Sequence, residues 1–270
     1  MSRFNGQTVF ITGASAGIGA ALGRRFAEEG ADVALLARRK DALENTASAI
    51  RALGRRAIPI TCDVTRDGDL ERAAEIVRNE TGRIDVVVAN AGIGINGGFS
   101  KLSLDDFRRQ FETNVFGVVR TVQATLPDLA NSRGRLGIVG SVAQYTILPG
   151  TINYAMSKAA VGALAEGLSI EMAPKGISTT LILPGFVESE IRLIDNQGNL
   201  REGAKDPAPQ FFVMPTDVAA KQIVRDMYRR ERECVLTNHG KLGVFVGRHS
   251  PGVMASILRL AKRFSPLDVD

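Results

Sequence analysis

The stretch TVFITGASAGIGAALGRRFAEEG, residues 8–30, restricts what this chain can fold into more than any other. Thr8–Thr12 is a short β-branched and apolar run without polar alternation, the pattern of a strand buried on both faces of a parallel sheet. Glycines follow at once, and then a helical pattern, so the order is that of an opening βαβ unit. Glycine lets the backbone turn sharply and approach a ligand without a Cβ in the way. The unpaired N–H groups at the start of the helix then face an anion, helped by the helix dipole. The spacing is Gly13-x-x-x-Gly17-x-Gly19, which differs from the common G-x-G-x-x-G fingerprint. Taken alone, three glycines describe a tight βα turn; between the first strand and the first helix they point to a dinucleotide phosphate.

The same alternation continues along the chain. Strands are expected at Thr8–Thr12, Asp32–Ala37, Ala57–Thr61, Asp85–Ala89, Leu136–Gly140 and Ser178–Leu183, with a seventh at Cys234–Thr237. Helical patterns fill the gaps, the longest over Leu104–Ala130 and Ile152–Ala173. Right-handed crossovers would then place helices on both faces of the sheet. The expectation is one α/β domain with a doubly wound parallel sheet of six or seven strands, and 270 residues suffice for its core. Glu188–Pro215 breaks the rhythm: rich in Gly, Pro, Asn, Gln and charge, it is too long for an ordinary connection and reads as a lid. The domain is expected to span residues 1–250, with residues 251–270 as an extension.

At 44% hydrophobic and 23% charged residues, the chain reads as soluble and globular. It has no apolar run of 18 residues and no signal-peptide h-region ahead of Thr8, so a cytoplasmic protein is expected. Cys62 and Cys234 suggest no disulfide framework. The net charge of +5 is uneven: residues 221–263 carry ten Lys/Arg against three Asp/Glu. No aromatic-interleaved basic motif accompanies that excess, so no nucleic-acid partner is expected.

A carboxylate normally ends the second strand of such a unit and accepts hydrogen bonds from the adenosine ribose. Here the strand runs into Ala37, Arg38 and Arg39. A guanidinium cannot accept those bonds, but its charge and forked donors suit a 2′-phosphate. NADP(H) is therefore expected over NAD(H), with Arg38 as the first candidate, Arg39 as the alternative, and Ser15 adding a hydroxyl.

With these residues in place, the chain resembles the short-chain dehydrogenase/reductase family from about Phe4 to about Thr237. The motifs fall in family order: TGxxxGxG at Thr12–Gly19, CDV at Cys62–Val64, NAG at Asn90–Gly92, Asn114, Ser141, YxxxK at Tyr154–Lys158, and PG at Pro184–Gly185. The resemblance implies a Rossmann-like fold and an oxidoreductase that interconverts a ketone or aldehyde and an alcohol. It also implies roles. Tyr154 exchanges a proton with the carbonyl oxygen, Lys158 binds the nicotinamide ribose, and Asn114 holds a water in a relay to Lys158. Gly13, Gly17, Ile18 and Gly19 form the phosphate turn, and Asp63 and Val64 meet the adenine. Asn90, Ala91 and Gly92 border the cofactor, although Asn90 could equally serve only to tie strand ends together. Pro184, Gly185 and Val187 meet the nicotinamide, with Ser189 where the family often has threonine.

The YAMSK pentapeptide, residues 154–158, also makes physical sense by itself. Residues i and i+4 share a helix face. An ammonium near a phenol, whose pKa is ordinarily about 10, favours the phenolate and lowers that value toward the working range. Ser141 falls just past the fifth strand, at the carboxyl edge where ligands bind, and its hydroxyl suits a carbonyl oxygen. Metal chemistry is not expected: His239 and His249, the only histidines, lack ligand spacing and read as surface residues.

Val142, Tyr145, Ile147, Leu148, Phe186, Ile191, Leu193, Phe211 and Phe212 give the anticipated substrate pocket an apolar bias, so a hydrophobic small-molecule carbonyl or alcohol is preferred. Small-residue helix faces suggest a homodimer or homotetramer. Ser250–Phe264 reads as a basic amphipathic helix that could lie in a membrane interface or pack on protein. Several family members acting on lipid-like substrates carry a comparable extension, the 3-ketosphinganine reductases among them, and this chain resembles these and steroid-type members in general outline only. The competing reading is a catalytically silent sensor or scaffold that binds NADP(H).

Overall fold

Strand β1 (Thr8–Thr12) is buried along all five residues, as its unbroken apolar pattern requires. It lies inside a parallel sheet whose other members are β2 (Asp32–Ala37), β3 (Ala57–Thr61), β4 (Val86–Ala89), β5 (Arg135–Val139), β6 (Ser178–Leu183) and β7 (Glu233–Val235). The computed structural model describes residues 2–201, 203, 206 and 208–262. Among them the sheet has seven strands in the order β3-β2-β1-β4-β5-β6-β7, every neighbour parallel. Pro59 cannot donate to a ladder and is tolerated because β3 is an edge strand.

Successive side chains of a strand point to opposite faces, and two cores follow from that. Val9 and Ile11 enter one core with Leu22 and Phe26 of α1 (Gly17–Glu28), Leu43 and Ile50 of α2 (Lys40–Arg51), and Ile223 and Met227 of α7 (Thr216–Tyr228). Phe10 enters the other with Leu70 and Val77 of α3 (Asp69–Thr81), Val118 and Leu129 of α5 (Gly117–Ser132), and Val161 of α6 (Ile152–Glu171). Each such large side chain contributes about 1.5–3 kcal/mol on burial.

The helix expected over Leu104–Ala130 is interrupted. It comprises α4 (Leu104–Phe111), a π-helical turn at Glu112–Phe116, and α5. Ser103 caps α4 through a capping box with Asp106. The π turn carries Asn114, and such widened turns concentrate at functional sites.

Helices α8 (Asn238–His249) and α9 (Pro251–Lys262) follow β7. Val253, Ile257 and Leu260 of the anticipated amphipathic face are exposed, while Met254 is buried. Arg263 and Phe264 of that expected helix lie outside the described residues. Among the described residues, no helix is long and apolar enough to cross a membrane.

Chain order reverses between β1 and β4, because β2 and β3 lie to one side of β1 and β4–β7 to the other. Loops leaving the carboxyl ends of β1 and β4 therefore diverge, and a crevice opens between them.

Candidate active site

A cleft of about 650 Å³ occupies that crevice. One end is walled by Ser15, Arg38 and Arg39, the other by Ser141, Tyr154 and Lys158. Between them lie Gly13, Gly17, Ile18, Gly19, Asp63, Val64, Asn90, Ala91, Gly92, Pro184, Gly185, Val187 and Ser189, so all but one of the catalytic and cofactor-binding residues expected from sequence line one cleft, whereas of the apolar residues expected in the substrate pocket only Ile191 does. Asn114 is the exception: it is fully buried behind the cleft.

Gly13 has a φ of +67° in the left-handed region, where a side chain would be strained. At Gly19 a Cβ would stand 2.6 Å from Asn90 Nδ2 and closer still to the Gly13 carbonyl oxygen, so strand and helix meet here only through glycine. Ala16, at the N-cap of α1, makes no side-chain capping bond, which leaves the first N–H groups of α1 to face the cleft. Asn90 Nδ2 donates to the carbonyl oxygens of Thr12 (2.9 Å) and Gly13 (3.1 Å). Thr12 Oγ1 in turn accepts from the N–H groups of Asn90 and Ala91, both at 3.1 Å. Of the two roles open to Asn90, its amide nitrogen performs the tying one, holding the ends of β1 and β4 together. Asp63 Oδ1 accepts from the Thr65 N–H and hydroxyl, at 3.0 and 2.7 Å, and so shapes the turn after β3.

The two arginines at the far end differ. Arg39 Nη2 lies 2.7 Å from Glu190 Oε2 and 3.4 Å from Ser15 Oγ. Arg38 is exposed and has no ion-pair partner among the described residues.

At the chemical end Lys158 is 3% exposed, and its Nζ donates to the Val139 carbonyl oxygen at 2.8 Å. Burial pulls its pKa from 10.5 down to about 8. Tyr154 is half-buried, and burial pushes its phenol above its ordinary value; the Ser141 side chain and the Arg192 charge oppose the shift without overcoming it. The expectation that Lys158 lowers the tyrosine pKa is thus not met in the free protein. Its ammonium is turned to Val139, 5.7 Å from the centre of the Tyr154 ring, and desolvation outweighs the charges that favour the phenolate.

Asn114 Oδ1 accepts from the Ile93 N–H at 2.8 Å, while its Nδ2 donates to the Ile93 carbonyl (3.0 Å) and to Ser157 Oγ (3.1 Å). The amide fixes the loop after β4 against α6. A Cβ on Gly92 would stand 3.2 Å from Asn114 Oδ1 and 3.7 Å from Lys158 Nζ, which puts both groups beside one glycine.

A family model for the short chain dehydrogenases matches residues 7–199. The chain belongs to that family. A relative named 11-beta-hydroxysteroid dehydrogenase A, from Sesamum indicum, is 32% identical over 97% of this chain and 77% of its own length. A short chain dehydrogenase from Burkholderia cenocepacia, solved in complex with NADP, is 29% identical with a TM-score of 0.78, over 88% of this chain and 99% of that one. A Burkholderia phymatum member of the family, in complex with NAD, shares the fold at 22% identity with a TM-score of 0.83, over 94% and 96% of the two chains. Membership makes this protein an oxidoreductase of a family whose solved members hold nicotinamide cofactors, NAD in one and NADP in another.

Several positions differ from the sequence-based reading. His239 is half-buried rather than exposed: the rings of Phe186 and Phe212 lie against it, with centroids at 5.6 and 5.1 Å, and burial lowers its pKa. Tyr145 does not enter the cleft either. Its hydroxyl accepts from Arg248 at 2.8 Å, and it lines a separate hollow beside α6. Sequence reasoning also missed Arg192, which lines the cleft and is clasped by Asp206 at 2.7 and 2.5 Å and by the Val187 carbonyl at 2.9 Å. Asn196 was missed as well: its side chain exchanges two hydrogen bonds with the Asn96 backbone, at 3.0 and 2.9 Å, across the top of the cleft. Neither sits at a spacing that marks it: Asp206 lies 14 residues from Arg192, and Asn96 lies 100 residues from Asn196.

Proposed function

We propose that the protein is an NADP(H)-dependent oxidoreductase that interconverts a hydrophobic ketone or aldehyde and the corresponding alcohol, with Tyr154 as the general acid/base. The observation that carries this reading is a single cleft running from a pair of arginines, past a glycine cradle, to Ser141, Tyr154 and Lys158. The residues fit the cofactor: the open N–H groups at the head of α1 suit its diphosphate, Arg38 and Arg39 its 2′-phosphate, and Lys158 its nicotinamide ribose. When bound, the nicotinamide supplies or takes up the hydride.

The chain's own residues do the rest. Ser141 directs a hydroxyl at the substrate oxygen and stabilises the charge that develops there. Tyr154, held protonated by burial, gives its proton to that oxygen on reduction and receives it on oxidation. Lys158 keeps a positive charge behind the tyrosine at neutral pH. Asn114 positions the loop and the helix between which that lysine sits, beside the water relay proposed for it. Segment 188–215 acts as the lid, bringing Ile191, Ile194 and Leu200 over the substrate end. Ile93 and Ile95 line the same cleft and support an apolar substrate, as does the steroid in the name of the sesame relative. Ile152, Met156 and Ile170 leave an exposed apolar stripe on α6 suited to a second subunit.

Tyr154→Phe tests the core of the reading. In an NADPH-oxidation assay over ketones of graded chain length, turnover should fall by about 10²–10⁴-fold. NADPH should still bind within about twofold of wild type, since the ring remains and only its proton is lost. Retained turnover would remove Tyr154 from the acid/base role.

A further inference from the structure

Glu190 belongs to no motif, yet it reaches 151 residues back along the sequence to the end of the cleft where the 2′-phosphate should sit. Its Oε2 is 2.7 Å from Arg39 Nη2, the same nitrogen that lies 3.4 Å from Ser15 Oγ. Both side chains of the pair wall the cleft. With side chains 51% and 41% exposed, the pair is solvated and separable, so a stronger anion can take its place. A phosphate carries more charge than a carboxylate and suits a guanidinium fork better.

The position of Glu190 in the chain gives such a displacement a consequence. Glu190–Arg192 is one 3₁₀ turn, capped by Ser189 Oγ accepting from the Ile191 N–H at 3.2 Å. Ser189 hangs over the phosphate turn, 3.7 Å from where a Cβ on Gly17 would be. Arg192, at the other end of the turn, lines the cleft that Tyr154 shares. One short turn therefore joins the arginine end of the cleft to the tyrosine end.

We propose that Glu190 is an internal anion that occupies Arg39 in the free protein and is displaced by the cofactor's 2′-phosphate, so that phosphate recognition is set against, and coupled to, the 190–192 turn of the lid. This rests on the NADP(H) reading and adds a specificity-determining residue to it. Glu190 holds down affinity for the phosphorylated cofactor, because only molecules with Arg39 released bind it fully.

The test measures binding of adenosine 2′,5′-bisphosphate and of AMP to the full chain by calorimetry, in wild type, Glu190→Gln, Arg39→Met and the double variant. Glu190→Gln should tighten the bisphosphate about three- to tenfold, by removing both the competing partner and the like charge beside the phosphate. AMP should change by less than about twofold, and in the Arg39→Met background the gain should vanish, because the shared partner is gone. Three results overturn the inference while leaving the cofactor reading intact: a wild-type preference for the bisphosphate that Glu190→Gln does not raise, a gain that persists without Arg39, or weaker AMP binding, which would make Glu190 a ribose acceptor. If neither wild type nor Glu190→Gln prefers the bisphosphate, the NADP(H) reading fails and the inference with it.

Discussion

Lys158→Met should make the protein inactive and more stable. Lys158 is 3% exposed, and its pKa of about 8 in place of 10.5 means that folding disfavours the charged form. At about 1.4 kcal/mol for each tenfold change in proton affinity, the buried ammonium costs the fold about 3 kcal/mol at neutral pH. Methionine removes that cost with a side chain of similar length. It also leaves the Val139 carbonyl without the donor it has at 2.8 Å, a loss of about 1–2 kcal/mol in a carbonyl that borders the open cleft. The net gain is about 1–2 kcal/mol, or about 3–6 °C in the thermal midpoint of the cofactor-free protein.

The pH dependence separates this reasoning from a generic packing effect. Because the folded pKa lies below the unfolded one, between pH 8 and about 10.4 the unfolded chain holds more protons at this site, and wild-type stability gains from this group as pH rises. The cost is full below that window and absent above it. The variant's advantage should therefore be largest near pH 7, shrink through the window, and reverse above it, where the neutral amine still donates to Val139 and methionine cannot. Differential scanning calorimetry of both proteins across that range checks it. A variant less stable than wild type at pH 7, by an amount that does not change with pH, would refute the claim that the ammonium is held against a desolvation cost.

Two other perturbations address separate parts of the cleft. Arg192→Met should raise the pKa governing turnover, because the Arg192 charge is one of the two influences favouring the Tyr154 phenolate; a changed KM with an unmoved pH profile would reduce Arg192 to a structural clasp for Asp206. Gly19→Ala places a Cβ against Asn90 and the Gly13 carbonyl and should lower stability by about 1–3 kcal/mol while weakening NADPH binding, read by thermal shift and fluorescence titration. Unaltered binding would mean that the cradle can shift without consequence.

Fold and site were legible in the sequence to different depths. The strands at the centre of the sheet were recoverable because buried parallel strands write themselves as unbroken apolar runs, as TVFIT and DVALLA do; β3 and β7 are only partly buried and were recoverable from their place in the alternation. The glycine turn, Ser141 and the Tyr154–Lys158 spacing were recoverable because backbone geometry and helix periodicity fix their placement. The π turn at Glu112–Phe116 left no mark, since a single widened turn changes no period. Arg192, Glu190 and Asn196 were equally silent. They reach the cleft from an irregular segment, where no periodicity says which way a side chain points, and their partners are distant in sequence. His239 misled for the opposite reason. Spacing along the chain bears on ligation and says nothing of burial, which depends on Phe186 and Phe212, and only the folded chain brings them beside it.

The catalytic pair that the pentapeptide suggested is also differently poised from the way sequence pictured it. A tyrosine with a lowered pKa would serve as a base at neutral pH; a buried one with a raised pKa keeps its proton and serves as a donor. In the free protein the second condition holds, because Lys158 is drawn to Val139 and desolvation dominates at Tyr154. On the proposed mechanism, reduction can begin from this state directly, whereas oxidation needs the phenol to lose its proton first. The positive charges proposed to favour the phenolate then divide by position: Arg192 acts from the 190–192 turn, held by Asp206, and Lys158 acts from the helix once its ammonium leaves the Val139 carbonyl. Turnover in the oxidative direction should accordingly depend more steeply on pH than reduction does, since only that direction requires the disfavoured form of a buried phenol.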